Sequence, residues 1–246
     1  MTYCLAIHVN DGLVFCSDSL TNAGTDNVGR YSKMHSFVWE GERAFTLLSA
    51  GNLATTQAVV KKIDNDVQQA LTPNLLTVVN MTEAIDYIGM VSTQVQRNQA
   101  KRDTANTNFE ASFLLGGQIE SAAPEISLIY PQGNCIYESD NHPFLQIGEI
   151  KYGKPILDRV ISRRTSLERA ARVALVSMNS TMRSNVTVGP PVELMLYRRD
   201  SLIRGRKLTM NDDDPFSREV SEKWNKGLLS ILETLPSFDW EDPPQS

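Results

Sequence analysis

The chain lacks the short motifs that mark the commoner catalytic chemistries. It contains no GxSxG, no HExxH, no GxxxxGK[ST], and no GxGxxG between a strand and a helix, so nucleotide-driven chemistry is not encoded in it. Cysteine is sparse. Cys4, Cys16 and Cys135 form an odd set without CxxC spacing, and His8, His35 and His142 fall at no zinc-binding spacing, so neither a structural metal nor a cofactor is expected. Cys4 and Cys16 lie in apolar strand-like runs, where a thiol acts as a small core residue, the usage of reduced cytoplasmic thiols. No apolar run approaches the roughly 20 residues of a membrane span. The first apolar patch, residues 5–7, is interrupted by His8, Asn10 and Asp11 and has no basic stretch before it, so export is not expected. Positive charge is also scarce: the net charge is −5 and the pI about 5.3, and the short basic runs at 163–164, 198–199 and 204–207 have acids nearby. Nucleic acid, which needs clustered Lys and Arg, is therefore not an expected partner.

What remains is 246 residues of ordinary globular composition, 41% apolar and 22% charged, enough for one large layered domain. Residues 2–9 and 13–18 read as strands joined by the turn Asn10-Asp11-Gly12. Residues 19–32 are polar and glycine-containing, a loop with room for a short paired segment. A second hairpin covers 34–39 and 43–49. Asn52 caps a helix that Thr72-Pro73 stops, and Asn80 with Glu83 opens another carrying Ala84, Ile85, Ile88, Val91 and Val95. Strands follow at 109–117, 125–130, 135–138 and 144–147, then a short helix at 155–161 and a longer one announced by Thr165 with Glu168. Strands at 192–197 and 202–208 close the sheets, and Asp214-Pro215 begins a last helix to about residue 235. Strands and helices thus come in separate blocks, not in βαβ alternation, which predicts an α+β fold of antiparallel sheets with helices outside. The domain is expected to span residues 1–236, followed by an acidic, proline-containing tail over 237–246.

Chemistry points to the start of the chain. A threonine at a free N-terminus carries nucleophile and base in one residue, because its own α-amine can take the hydroxyl proton. That amine has an ordinary pKa of about 7.7–8.0, so it needs a nearby cation to stay neutral at neutral pH. Thr2, exposed by loss of Met1, is the candidate nucleophile, Lys33 the cation, and Asp18 the acid that orients Lys33. Gly51, in Ser49-Ala50-Gly51 at a strand-to-helix junction, is a candidate oxyanion donor through its backbone N–H. Each also has a plain structural reading: a strand-forming threonine, a surface lysine, an acid in a turn, a glycine that lets the chain bend.

The segments Thr2-Tyr3-Cys4, Gly12 through Ser19 (GLVFCSDS), Lys33-Met34-His35 and Leu48-Ser49-Ala50-Gly51-Asn52 resemble the proteasome β-subunit pattern. The stretches SAGNLATTQ from Ser49 and STMRSNVTVGPP from Ser180 are most similar to Anbu, the bacterial ancestral β-subunit family. The resemblance covers nearly the whole chain. It implies a four-layer αββα sandwich of the N-terminal-nucleophile hydrolase type, with Thr2, Asp18, Lys33 and Gly51 in the site, and homo-oligomers in the form of a ring or open-ring spiral. Two departures stand out: the supporting Gly-Ser-Gly turn reads Gly148-Glu149-Ile150, and the Asp-x-x-Ser-Gly segment reads Asn185-Val186-Thr187-Val188-Gly189. The auxiliary set is absent or rebuilt.

The expected function is a threonine-dependent peptidase or amidase acting on a peptide or amide substrate. The alternatives are a non-proteolytic amidohydrolase of the same fold and an assembly or binding shell with weak or lost activity. Any ATP-driven unfolding would come from a separate protein. The helices at 52–71 and 80–95 carry apolar residues beyond one stripe, Val59 beside Val60 and Met81 with Met90, which predicts that subunits pack through them.

Overall fold

A computed structural model describes residues 1–22 and 28–240. Its strands are β1 (Tyr3–Val9), β2 (Gly12–Ser17), β3 (Leu20–Asn22), β4 (Val28–Arg30), β5 (Met34–Trp39) and β6 (Arg43–Gly51), then β7 (Ala111–Ile119), β8 (Glu125–Ile129), β9 (Cys135–Tyr137), β10 (Phe144–Gly148), β11 (Val192–Arg198) and β12 (Arg206–Met210). The helices are α1 (Leu53–Gln68), α2 (Met81–Ala100), α3 (Lys154–Val160), α4 (Leu167–Ser184) and α5 (Pro215–Leu232). Two antiparallel five-stranded sheets, ordered β10-β1-β2-β11-β12 and β5-β6-β7-β8-β9, face each other, while β3 and β4 pair inside the predicted polar loop. The predicted four-layer αββα sandwich is observed.

Every residue of β1 and β2 is buried, because both faces of their sheet are covered. Along β1, Tyr3, Leu5, Ile7 and Val9 point into a core shared with α3 and α4. Cys4 and Ala6 point the other way, toward the facing sheet. This two-residue period is what a strand imposes. Small residues hold the sheets close: a Cβ on Gly116 would lie 2.6 Å from the Phe15 ring, so the phenyl fills the space that glycine leaves. A third core lies between the second sheet and α1 with α2.

The predicted caps of three helices are present. Asn52 Oδ1 accepts from Thr55 N at 3.1 Å, Asn80 Oδ1 from Glu83 N at 2.9 Å, and Asp214 Oδ1 from Ser217 N at 2.8 Å. Three expectations need correction. Thr165 is not the cap of α4, which starts at Leu167 after Ser166; the Thr165 hydroxyl accepts instead from Ser162 N at 3.1 Å and closes the preceding turn. Residues 202–205 are not strand, because Asp200 and Leu202 take positive φ and turn the chain before β12. Val59 and Met81 belong to the core, not to a surplus face, and only Met90 of the second helix's extra residues is well exposed. The unpartnered apolar surface lies on α5, none of whose residues is buried. Of the tail, Phe238 and Trp240 stack with ring centroids 4.7 Å apart, and residues 241–246 lie outside the described residues. No helix among the described residues is long and apolar enough to cross a membrane.

Antiparallel alternation sets the starts of some strands beside the ends of others. The beginnings of β1, β5 and β11 and the ends of β2, β6 and β10 meet at one end of the sandwich, where the flanking connections bring polar residues together. The sandwich that creates this end depends on the inter-sheet core. Phe15→Ala is expected to cost about 3–5 kcal/mol in denaturant unfolding, and a cost below about 1 kcal/mol would mean that the sheets close over the gap.

Candidate active site

The centre of this end is Asp18, directly after β2 and fully buried. The β1–β2 ladder continues through it. Asp18 N donates to Tyr3 O at 3.1 Å, and Tyr3 N donates to Asp18 Oδ1 at 3.0 Å. The same oxygen accepts from Lys33 Nζ at 2.7 Å, while Oδ2 accepts from Gly189 N at 3.3 Å. Lys33, one residue before β5 and 5% exposed, gives a second proton to Leu20 O at 2.7 Å. Its ammonium has three protons, and among the described residues these two acceptors leave one for the cavity that it lines. Burial lifts the Asp18 carboxyl above its ordinary value; the Lys33 ammonium and the N–H groups of Tyr3 and Gly189 pull it back down.

That cavity, about 40 Å³, is lined by Thr2, Lys33 and Gly51 together with Thr21, Ser32 and His35, among others. Of three larger depressions, those of about 470 Å³ beside α5 and about 750 Å³ around His8 and Arg163 contain none of the four predicted residues, while one of about 380 Å³ is lined by Gly51 with Asn52, Glu110 and Gly148. Thr2 is half-buried, and its carbonyl accepts from Glu149 N at 2.7 Å. Gly148 makes that approach possible: it sits at φ +83°, and a Cβ there would lie 1.9 Å from Thr2 O. The α-amine of Met1 lies below its ordinary value, first because burial disfavours its charge and then because Lys33 repels it; Asp18 and Glu149 act in the opposite sense. Gly51 sits at φ +115°, and a Cβ on it would lie 2.3 Å from Glu110 O, so its contact with β7 alone requires glycine.

All four residues predicted from sequence therefore meet at one place, with Asp18 beneath Lys33 and the other three on the cavity wall. Glu149 and Asn185, which depart from the resembled pattern, are in contact: Glu149 Oε2 accepts from Asn185 Nδ2 at 3.1 Å. Spacing gave no sign of this contact, since 36 residues separate them. Thr21, whose buried hydroxyl has no hydrogen-bond partner among the described residues, was likewise not anticipated. The thiols of Cys4 and Cys16 are buried and pushed far above the ordinary range by that burial, so neither is a nucleophile. Among the described residues no group of three or more His, Cys, Asp or Glu is placed to hold a metal ion.

No family model and no curated protein matches the chain. Solved structures do. Anbu (ancestral beta-subunit) from Yersinia bercovieri is 40% identical over 96% of this chain and 99% of its own, with a TM-score of 0.91. The helical assembly of the Anbu complex from Pseudomonas aeruginosa is 42% identical over 97% and 98%, with a TM-score of 0.93. The Anbu (Gly-1) mutant from Hyphomicrobium sp. strain MC1 is 40% identical over 97% and 100%, with a TM-score of 0.90.

The buried Asp18–Lys33 pair makes a testable demand. Lys33→Ala leaves a buried carboxylate without its cation, which costs about 3–5 kcal/mol, whereas Asp18→Asn with Lys33→Met recovers most of that loss. Without Lys33 the Asp18 carboxyl rises further above 3.8, so the folded state binds the proton more tightly than the unfolded state. The Lys33→Ala penalty should accordingly be largest at neutral pH and shrink as pH falls toward 3.8, as read by urea unfolding across pH. A penalty independent of pH would contradict the assignment of the cost to Asp18.

Proposed function

The chain belongs to the Anbu family of proteasome-like N-terminal-nucleophile hydrolases, and from that premise we propose that it is a threonine-dependent peptidase or amidase attacking through Thr2 after Met1 is removed. The observation that carries this reading is the shared cavity of Thr2, Lys33 and Gly51 above Asp18. In the processed chain the α-amine of Thr2 takes the proton from Oγ1 as that oxygen attacks the amide carbonyl. Lys33 keeps the amine neutral by opposing a second positive charge, and Asp18 fixes Lys33 in place. The tetrahedral oxyanion is received by the Gly51 N–H, the leaving nitrogen takes the proton from the α-ammonium, and water releases the acyl group from Thr2.

No cofactor, metal or nucleotide enters this scheme, and unfolding of a large substrate would be supplied by another protein. We place the enzyme in the cytoplasm, in keeping with its buried reduced thiols. The same reading includes self-assembly. A helical assembly describes the Pseudomonas aeruginosa relative, and here α5 exposes Leu229 at 66% and Ile231 and Leu232 at 57% each, an apolar surface suited to a second copy.

N-terminal sequencing of the active protein should begin Thr-Tyr-Cys. Thr2→Ala is expected to lower amide hydrolysis and labelling by a threonine-directed electrophile by about 10³-fold or more while leaving assembly intact. If Thr2→Ala kept near-wild-type hydrolysis, another nucleophile would be at work. A binding shell would give no labelling even in the wild type. Sedimentation at micromolar concentration should report a mass several-fold above 27.4 kDa, and Leu229→Asp with Leu232→Asp should lower it; a hydrolytically active monomer would sink the assembly reading.

A further inference from the structure

The proposed reaction places a second positive charge next to the first. When Thr2 Oγ1 forms its bond to the acyl carbon, the O–H bond breaks and the α-amine gains the proton, becoming an ammonium in the cavity that Lys33 also lines. Asp18 also favours charge at the amino terminus, but its oxygens already accept from Lys33, Tyr3 and Gly189. The Asp18–Lys33 pair is neutral as it stands.

Glu149 is the unassigned charge. It is 7% exposed, yet its side-chain partners among the described residues are the Asn185 amide at 3.1 Å and the Lys151 backbone N–H at 3.4 Å, with no cation. A buried carboxylate without a cation is costly, so a site that keeps one has a use for a positive partner. Its support is directional. Asn185 Oδ1 accepts from Thr187 N at 3.0 Å and from Thr187 Oγ1 at 2.6 Å, which turns Nδ2 toward Glu149. The backbone of Glu149 holds residue 2 as well, through its N–H on Thr2 O at 2.7 Å, and Gly148 packs against the same carbonyl. The field of Glu149 reaches the amino terminus, where it opposes burial and Lys33 at the Met1 amine.

We propose that Glu149, held by Asn185, is the counter-charge of the Thr2 α-ammonium: it accepts a hydrogen bond from that group, aims it at Oγ1, and keeps the proton there until the leaving nitrogen takes it. Glu149 is thus a positioning residue. It touches neither the acyl carbon nor the oxyanion. The inference rests on Thr2 being the nucleophile.

The test is the rate of Thr2 labelling by a threonine-directed electrophile as a function of pH, in the assembled wild type, Glu149→Gln and Glu149→Asp. Glu149→Gln removes the charge but keeps an oxygen for Asn185, so the thermal midpoint should stay within a few degrees while the acid limb of the rate moves down by about one pH unit. Glu149→Asp keeps the charge and shortens its reach, so the acid limb should stay near that of the wild type while the plateau rate falls several-fold. Should Glu149→Gln leave the acid limb in place, Glu149 is a structural residue and the proposal fails, even if the plateau or the melting temperature changes. Absence of labelling in the wild type overturns the nucleophile assignment as well as this inference, so the two failures are told apart.

Discussion

The site is organised around one buried ion pair, Lys33 Nζ on Asp18 Oδ1 at 2.7 Å. Taking two charges out of water costs several kcal/mol per ion, and attraction between them repays this only when the remaining donors and acceptors are also satisfied. Here most are: the carboxylate receives two backbone N–H groups besides the ammonium, and the ammonium gives a second proton to Leu20 O. Each of those bonds reaches a different part of the chain. The Tyr3 N–H ties the pair to the strand that carries Thr2, the Gly189 N–H ties it to the loop that carries Asn185, and Lys33 O accepts from Ser49 N at 3.1 Å next to Gly51. Disturbing the pair therefore disturbs β1, β3, β6 and the loop before β11 together.

The sandwich explains why such a pair can exist at all. Strands covered on both faces leave their ends as the places where polar backbone and side chains converge without opening the core. Asp18 follows a strand and Lys33 precedes one, so both are buried by the layers around them yet remain next to chain that has donors and acceptors to give. The small cavity above Asp18 brings the Thr2 hydroxyl and the Lys33 ammonium to one wall, beside a glycine that its contact with Glu110 already requires.

The sequence reading reached the block order of strands and helices because it rests on local signals: the turn Asn10-Asp11-Gly12 between β1 and β2, asparagine caps before α1 and α2, and Asp214-Pro215 before α5. It singled out Thr2, Asp18, Lys33 and Gly51 as candidates through their neighbours in the chain and through family resemblance. It misplaced what depends on contacts between distant elements. The cap of α4 moved by one residue because the Thr165 hydroxyl is engaged by the preceding turn, and residues 202–205 became a connection because two non-glycine residues take positive φ there. The extra apolar residues of α1 and α2 were absorbed by a deeper core than one stripe indicates, while α5, whose pattern looks amphipathic in isolation, found no sheet to cover. The Glu149–Asn185 contact had no local signature, since it exists only once β10 and the end of α4 are brought to the same corner.

The central claim is that this corner keeps the α-amine of a processed Thr2 neutral enough to act as a base. Burial and Lys33 outweigh Asp18 and Glu149 at the Met1 amine, and the same balance is expected one residue further in. The measurement is a pH titration of the Thr2 α-amine, followed by nitrogen chemical shift in assembled protein labelled with ¹⁵N-threonine and freed of Met1. The account predicts a midpoint clearly below the ordinary range of about 7.7–8.0, and a midpoint at or above that range would contradict it.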